Sequence, residues 1–246
     1  MPDYLLLAGA AFGAGVLNTV AGGGTFLTFP ALVHAGLPVV AANATSTVAV
    51  FPGYLSGALG FRREIARMER RALLRTALAS AAGGLIGSLL LLVTSNEAFA
   101  AVVPFLLAMA TLIFAFGDRV QAWARRHRPG LVQGPLGTVL VSVYGGYFNG
   151  GLGIVLLALF SLQGMRDLDA MNGLKMGLSF LLSVVSVATF AVAGLVAWPE
   201  AAVMMVASTA GGYLGAPLAR ALPRGVVRGV VIAVGVVMSA VFFWRL

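Results

Sequence analysis

Long apolar runs separated by short polar or basic links dominate the chain. Val40–Phe61, Ala72–Val93, Ala98–Phe116, Ala170–Ala197, Ala201–Leu222 and Val226–Trp244 each approach the roughly 20 residues that a helix needs to cross a hydrocarbon core of about 30 Å. Two further apolar regions are interrupted. Tyr4–Leu37 is broken at Ala21-Gly22-Gly23-Gly24, with Pro30 further on, and Gly137–Gly164 is broken at Asn149-Gly150-Gly151-Leu152-Gly153. Each glycine costs a helix about 1 kcal/mol relative to alanine, so runs of this kind end helices. The pattern predicts two helical hairpins that enter the membrane and turn back. Irregular backbone is costly against lipid, so both breaks are expected to be buried in protein or to line a cavity.

The pattern repeats. Ala79-Ser80-Ala81-Ala82-Gly83-Gly84-Leu85-Ile86-Gly87 is echoed about 130 residues on by Ala207-Ser208-Thr209-Ala210-Gly211-Gly212-Tyr213-Leu214-Gly215. Gly15-Val16-Leu17-Asn18 is matched by Gly146-Tyr147-Phe148-Asn149, and Ala41-Ala42-Asn43-Ala44 by Ala170-Met171-Asn172-Gly173. Both halves therefore read as a broken hairpin followed by three spans, about 8 membrane segments in all. The predicted division is 1–128 (hairpin 4–37, spans 40–61, 72–93 and 98–116) and 129–246 (hairpin 137–164, spans 170–197, 201–222 and 226–244).

Charge sets the expected topology. A hairpin plus three spans crosses an odd number of times, so the second copy should be inverted. The basic stretch Arg62–Arg75 corresponds to Trp198-Pro199-Glu200, which carries no basic residue, whereas Thr94-Ser95-Asn96-Glu97 corresponds to the loop around Arg220, Arg224 and Arg228. Inversion places all 16 Lys and Arg except Lys175 and Arg245 on the cytoplasmic side, where such residues are retained. Asp3, Glu97 and Glu200 then fall outside, with both termini. If instead each hairpin crosses once, the halves are parallel and the Arg220–Arg228 loop is left outside.

Composition narrows the class further. Of 246 residues, 60% are hydrophobic and 10% charged, with a mean hydropathy of +0.98. Soluble domains carry about 25% charged residues. This excludes a soluble enzyme, a nucleic-acid-binding domain and a disordered chain. The net charge of +8 is explained by the clustered topology arginines, not by a nucleic-acid surface. With no cysteine there are no disulfides, thiolate metal sites or thiol nucleophiles. Met-Pro-Asp-Tyr lacks a basic n-region, so no cleaved signal peptide is expected. The fold class is an all-α polytopic membrane protein with two inverted-topology repeats.

Candidate chemistry gathers at the breaks. Inverted repeats with discontinuous helices commonly hold substrate near the midplane. Half-helix N-termini offer free N–H groups and a positive dipole end, both of which favour anions. Here they would follow Gly22-Gly23-Gly24, with the Thr25 hydroxyl beside them, and Gly150-Gly151-Leu152-Gly153. Asn18 and Asn149 precede the two breaks. Asn43, Thr45, Ser46 and Thr47 open the next span, and Asn172, Lys175 and Ser179 are their second-half counterparts. Capping of the broken helices explains any one of these side chains equally well. Lys175, the sole lysine, lies about one turn inside a span; it is either an anion's counter-charge or a snorkelling anchor. Pro52 and Pro104 are expected to kink their helices, and the Gly-x-x-x-Gly pairs to pack them. His34 and His127 are isolated, no Asp or Glu lies well inside a span, and no nucleophile elbow or Walker sequence is present.

Gly13-Ala14-Gly15 through Asn18, Ala21-Gly22-Gly23-Gly24-Thr25, Pro30, Gly36-Leu37-Pro38 and Asn43-Ala44-Thr45-Ser46 resemble the first signature of the sulfite exporter TauE/SafE family, also called the toluene sulfonate uptake permeases. Gly145-Gly146 to Gly153 is similar to its repeated counterpart. The resemblance covers essentially the whole chain. The second half departs from it where Leu174-Lys175 stands in place of Thr45-Ser46. The resemblance implies a transporter of small sulfur-containing anions: sulfite, sulfoacetate or another organosulfonate, or thiosulfate. The arginine-rich loops fit a bacterial-type inner membrane, and no cofactor is expected. Lipid and the anion are the expected partners, nucleic acid is not, and a homodimer is left open. An inside-negative potential drives an anion outward by about 2.3 kcal/mol per charge per 100 mV. Unaided transport would therefore export, and uptake would need coupled Na⁺ or H⁺. The rival readings are an anion channel, an ion-coupled uptake permease for a different small anion, and an intramembrane enzyme, for which the sequence offers no nucleophile or metal constellation.

Overall fold

In a computed structural model the chain is described over residues 3–20, 23–117, 119, 122, 134–221 and 224–244. The elements there are helical: α1 (Tyr4–Val20), α2 (Thr25–His34), α3 (Val39–Gly60), α4 (Arg62–Ala66), α5 (Arg70–Leu92), α6 (Asn96–Ala115), α7 (Pro135–Tyr147), α8 (Leu152–Leu162), α9 (Leu168–Val192), α10 (Trp198–Ala221) and α11 (Arg224–Trp244). The boundary expected near His127–Gly130 lies outside the described residues.

Local chemistry explains the ends. Asp3 starts α1 by accepting from the Leu5 and Leu6 N–H groups at 3.0 and 3.2 Å. Asp167 starts α9 in the same way, accepting from Asp169 and Ala170. α2 stops at Gly36 and α8 at Gly164, where φ is +95° and +88°. In both, the next residue's N–H reaches back to a helix carbonyl, Leu37 to Leu32 and Met165 to Phe160. α9 ends at Val192 rather than running to Ala197, because Gly194 turns left-handed (φ +70°) and Leu195 closes the same cap on Phe190. The basic stretch after α3 is not an open loop: it carries the short helix α4 and the first turn of α5.

Both interrupted regions fold back on themselves. Gly24 lies against the Ala14 carbonyl and the Asn18 side chain, and Gly13 against Leu27. In the second region Gly145 lies against Leu152. α2 has 10 residues and α8 has 11, too short to cross a bilayer alone.

The packing pairs are matched across the chain. α1 packs on α10 as α5 packs on α7, α3 on α10 as α9 on α5, α2 on α3 as α8 on α9, and α6 on α8 as α11 on α2. Individual contacts follow suit. A Cβ on Gly15 would strike the Ser208 carbonyl and the Gly212 amide, and one on Gly146 would strike the Gly84 carbonyl. Two further pairings, α3 with α9 and α6 with α11, are antiparallel. Gly57 touches Met176 while Thr45 accepts from the Ala197 N–H at 3.0 Å; Phe105 meets Phe243 while Thr111 meets Gly235.

These contacts define two faces. Phe61 and Ile65 pack on Gly173, which brings the Arg62–Arg71 stretch to the same end as Arg166. Asn96 accepts from the Val40 N–H at 3.1 Å, which puts Glu97 at the opposite end with Ala197 and Glu200.

Large apolar side chains cover the outside. Leu74, Leu78, Ile86, Leu89 and Leu90 of α5, Phe105 and Leu112 of α6, and Val206 of α10 are all exposed. Soluble proteins do not expose continuous apolar surface on this scale. Among the described residues, α5, α6 (Asn96–Ile113) and α9 are long and apolar enough to span a membrane on their own. α3 is the instructive exception. Its run from Ala42 to Val50 is wholly buried by protein, so its polar Asn43, Thr45, Ser46 and Thr47 never meet lipid.

Candidate functional site

The two breaks meet at the centre of the bundle. Before α2, the Gly24 N–H donates to Asn18 Oδ1 at 2.8 Å, so Asn18 caps the turn leading into the short helix. Before α8, Gly151 takes a left-handed conformation (φ +72°) that lets the chain reverse within three residues. α8 therefore begins at Leu152, and Gly153 is its second residue rather than part of the linker. Gly22 lies outside the described residues; Gly23, Gly24, Gly150, Gly151 and Gly153 are all buried.

Cross-links join one break to the other. The Thr25 hydroxyl, at the start of α2, donates to the Asn149 carbonyl at 3.5 Å. The Tyr54 hydroxyl, from α3, donates to Asn149 Oδ1 at 3.3 Å and lies within reach of Thr25. Gly151 packs against Phe26 of α2 and Ala110 of α6. Asn43 Nδ2 donates to the Tyr147 carbonyl at the end of α7, at 2.9 Å, and the Tyr144 hydroxyl donates to the Gly150 carbonyl. Phe29, Phe99, Phe148 and Phe242 form an aromatic block beside the second break, with Phe29 stacked on Phe242 at 5.6 Å and edge-on to Phe148 at 5.8 Å. This block comes from α2, α6, α11 and the α7–α8 link, and it fixes where the breaks sit.

Sequence-selected residues divide into two groups here. Asn18, Gly23, Gly24, Thr25, Asn43, Asn149, Gly150 and Gly151 come together. Thr45 and Ser46 sit further along α3 in structural bonds: Thr45 with the Ala197 amide and Ser46 with the Thr28 hydroxyl at 2.6 Å. Lys175 and Asn172 stand toward the arginine-bearing end. Lys175 lies about two turns inside α9, deeper than the one turn expected, and is 3% exposed. Its ammonium donates to Asn172 Oδ1 at 3.0 Å and does not reach past the protein to the surface.

No motif in the sequence singles out Tyr54 or Tyr144. One signal was there for Tyr54: it lies at helical spacing from Asn43, Thr47 and Val50, on the most buried face of α3.

Several buried polar atoms have no hydrogen-bond partner among the described residues: Asn43 Oδ1, Asn149 Nδ2 and the hydroxyls of Ser179, Ser183 and Ser186. Asn149 Nδ2 is a donor at the mouth of α8, and the N-terminal ends of α2 and α8 both point their positive dipoles into this centre. These side chains are buried: Asn18 is 4% exposed, Thr25 and Asn149 2%.

An all-α bundle with an apolar outside and two hairpins joined at a buried polar centre has the make-up of a polytopic membrane protein. The chain belongs to the sulfite exporter TauE/SafE family, whose model matches residues 7–242. It is 29% identical to a probable membrane transporter protein of Haemophilus influenzae over 93% of this chain and 90% of that one. It is 28% identical to the probable membrane transporter protein ORF9 of a Sinorhizobium species, over 94% and 88% of the two chains. It is 27% identical to the probable membrane transporter protein YfcA of Escherichia coli K12, over 92% and 84%. No solved structure matches the chain.

Proposed function

We propose that the protein is a secondary transporter that moves a small sulfur-containing anion, such as sulfite, sulfoacetate, another organosulfonate or thiosulfate, across the cytoplasmic membrane, with export running down the potential. The meeting of the two helix breaks at Thr25, Tyr54 and Asn149 carries this reading. It brings two positive helix ends and an unpaired amide donor to one buried point, without a buried carboxylate to repel the substrate.

Inverted repeats account for the architecture. The antiparallel course of α3 with α9, and of α6 with α11, supports inversion over a parallel arrangement, in which equivalent helices would run the same way. The burial of Asn18, Thr25 and Asn149 supports alternating access over a channel, which needs a continuous pore. Asn18, Asn43, Asn149 and the glycines around them form the proposed binding set. Thr45 and Ser46 support the helices, and Asn172 with Lys175 stands on the cytoplasmic side of the site.

The experiment is sulfite and sulfoacetate flux in proteoliposomes with the membrane potential clamped. Saturable flux, accelerated by unlabelled anion on the far side and driven outward by an inside-negative potential, is expected. Flux without counterflow would replace the transporter with a channel. No flux of either anion would overturn the substrate class.

A further inference from the structure

The binding centre does not account for Ser179, Ser183 and Ser186. All three hydroxyls are at most 1% exposed and have no hydrogen-bond partner among the described residues. They recur at i, i+4 and i+7, so they share one stripe of α9 roughly 60° wide. The stripe has defined neighbours. On one side Met176 packs on Val50 and Tyr54 of α3; on the other, Leu182 packs on Gly84 of α5 and Gly145 of α7. The serines therefore face inward, between α3 and the second hairpin. Asn149 Nδ2 and Asn43 Oδ1 are likewise buried and unpaired, and Asn149 is tied to Tyr54, which packs on Met176 beside the stripe. Followed toward the arginine-bearing end, the stripe continues to Asn172, with Lys175 on its edge.

We propose that this stripe is the anion's route between the binding centre and the cytoplasmic face: a file of hydroxyl donors about 10 Å long from Ser186 to Ser179, ending at the Lys175 ammonium. The inference rests on the transport reading above and extends it to a path. Hydroxyls can give one proton each to a passing oxyanion, and weak neutral donors hold it loosely enough to let it move on. Lys175, hydrogen-bonded to Asn172, supplies the full positive charge where the route opens, close to the face that carries Arg62, Arg67 and Arg166. The route is one-sided. At the matching positions of the first half stand Val50, Tyr54 and Gly57, so the outward path must run elsewhere.

The absence of native cysteine makes the test direct. Single variants Ser179→Cys, Ser183→Cys and Ser186→Cys are reconstituted and treated with a water-soluble, sulfonate-bearing methanethiosulfonate, and separately with its trimethylammonium analogue. Leu178→Cys, buried on the apolar side of the same helix, is the control. The expected result is modification of the three serine positions by the sulfonate reagent an order of magnitude faster than the control, and slower with sulfoacetate present. Rates equal to the control would overturn the route, and faster entry of the cationic reagent would overturn its anionic character. Fast modification by the sulfonate reagent that sulfoacetate does not slow would keep the route and sink the substrate assignment, which separates the two claims. Alanine at the same positions removes only an unpaired hydroxyl, so those variants should fold and transport more slowly. Unchanged flux in the triple alanine variant would also overturn the proposal.

Discussion

Lys175 shows how depth converts a side chain into an expectation. An ammonium buried two turns inside a membrane helix is costly, and one amide oxygen offsets little of that cost. Replacing it with methionine keeps the stem and removes the charge. Lys175→Met should leave the thermal midpoint in detergent unchanged or higher, while anion flux falls about tenfold, equivalent to about 1.4 kcal/mol. A stable variant with normal flux would make Lys175 a structural relic. Tyr54 gives the opposite pattern. Tyr54→Phe leaves Asn149 Oδ1 buried without its donor, at a cost of about 1–3 kcal/mol. For a chain of this length each kcal/mol lowers the midpoint by about 2–4 °C, which a melting curve resolves. The sequence exposed Lys175, because a lone lysine in an apolar run stands out, but not Tyr54, whose importance depends on where a distant loop places Asn149.

Among the elements, the two hairpins were the most legible part of the fold, because glycine runs in apolar sequence admit few alternatives. Their junction was not. Whether one break meets the other depends on Thr25, Phe26 and Asn149 packing across 124 residues of chain, and no local rule encodes that. α9 ran shorter than its apolar stretch because one glycine's left-handed turn overrides hydropathy. Two glycines separate backbone strain from crowding. Alanine at Gly36 (φ +95°) meets no neighbour within 4 Å, so it should cost only the left-handed penalty of roughly 1–2 kcal/mol. At Gly151 (φ +72°) the added methyl group also comes within 2.9 Å of Ala110, at the meeting point of the breaks. Gly151→Ala should therefore lower the thermal midpoint more than Gly36→Ala, and should reduce flux, which Gly36→Ala should not. Equal melting shifts and equal flux would mean that the α7–α8 turn carries no more than its own backbone energy.

For the molecule as a whole, the arginines and the packing make independent statements that can be set against each other. The arginine clusters predict a cytoplasmic side for Arg62–Arg75 and Arg166 by charge alone. The contacts of Gly173 with Phe61 and Ile65 put those same segments at one end of the bundle by geometry, with Glu97 and Glu200 at the other. The two agree only if the second hairpin returns to the side it entered. A hairpin that crossed would carry Arg166 outside and Glu200 inside. Single cysteines decide this in the cysteine-free chain. In intact cells a membrane-impermeant thiol reagent should label Ser95→Cys and Glu200→Cys, and should reach Arg67→Cys and Arg166→Cys only after the membrane is opened. Labelling of Arg166→Cys and Glu200→Cys from the reverse sides would make the halves parallel. The meeting of the breaks would then lose its alternating-access meaning, because the outward and inward conformations of such a site are exchanged by the inversion itself.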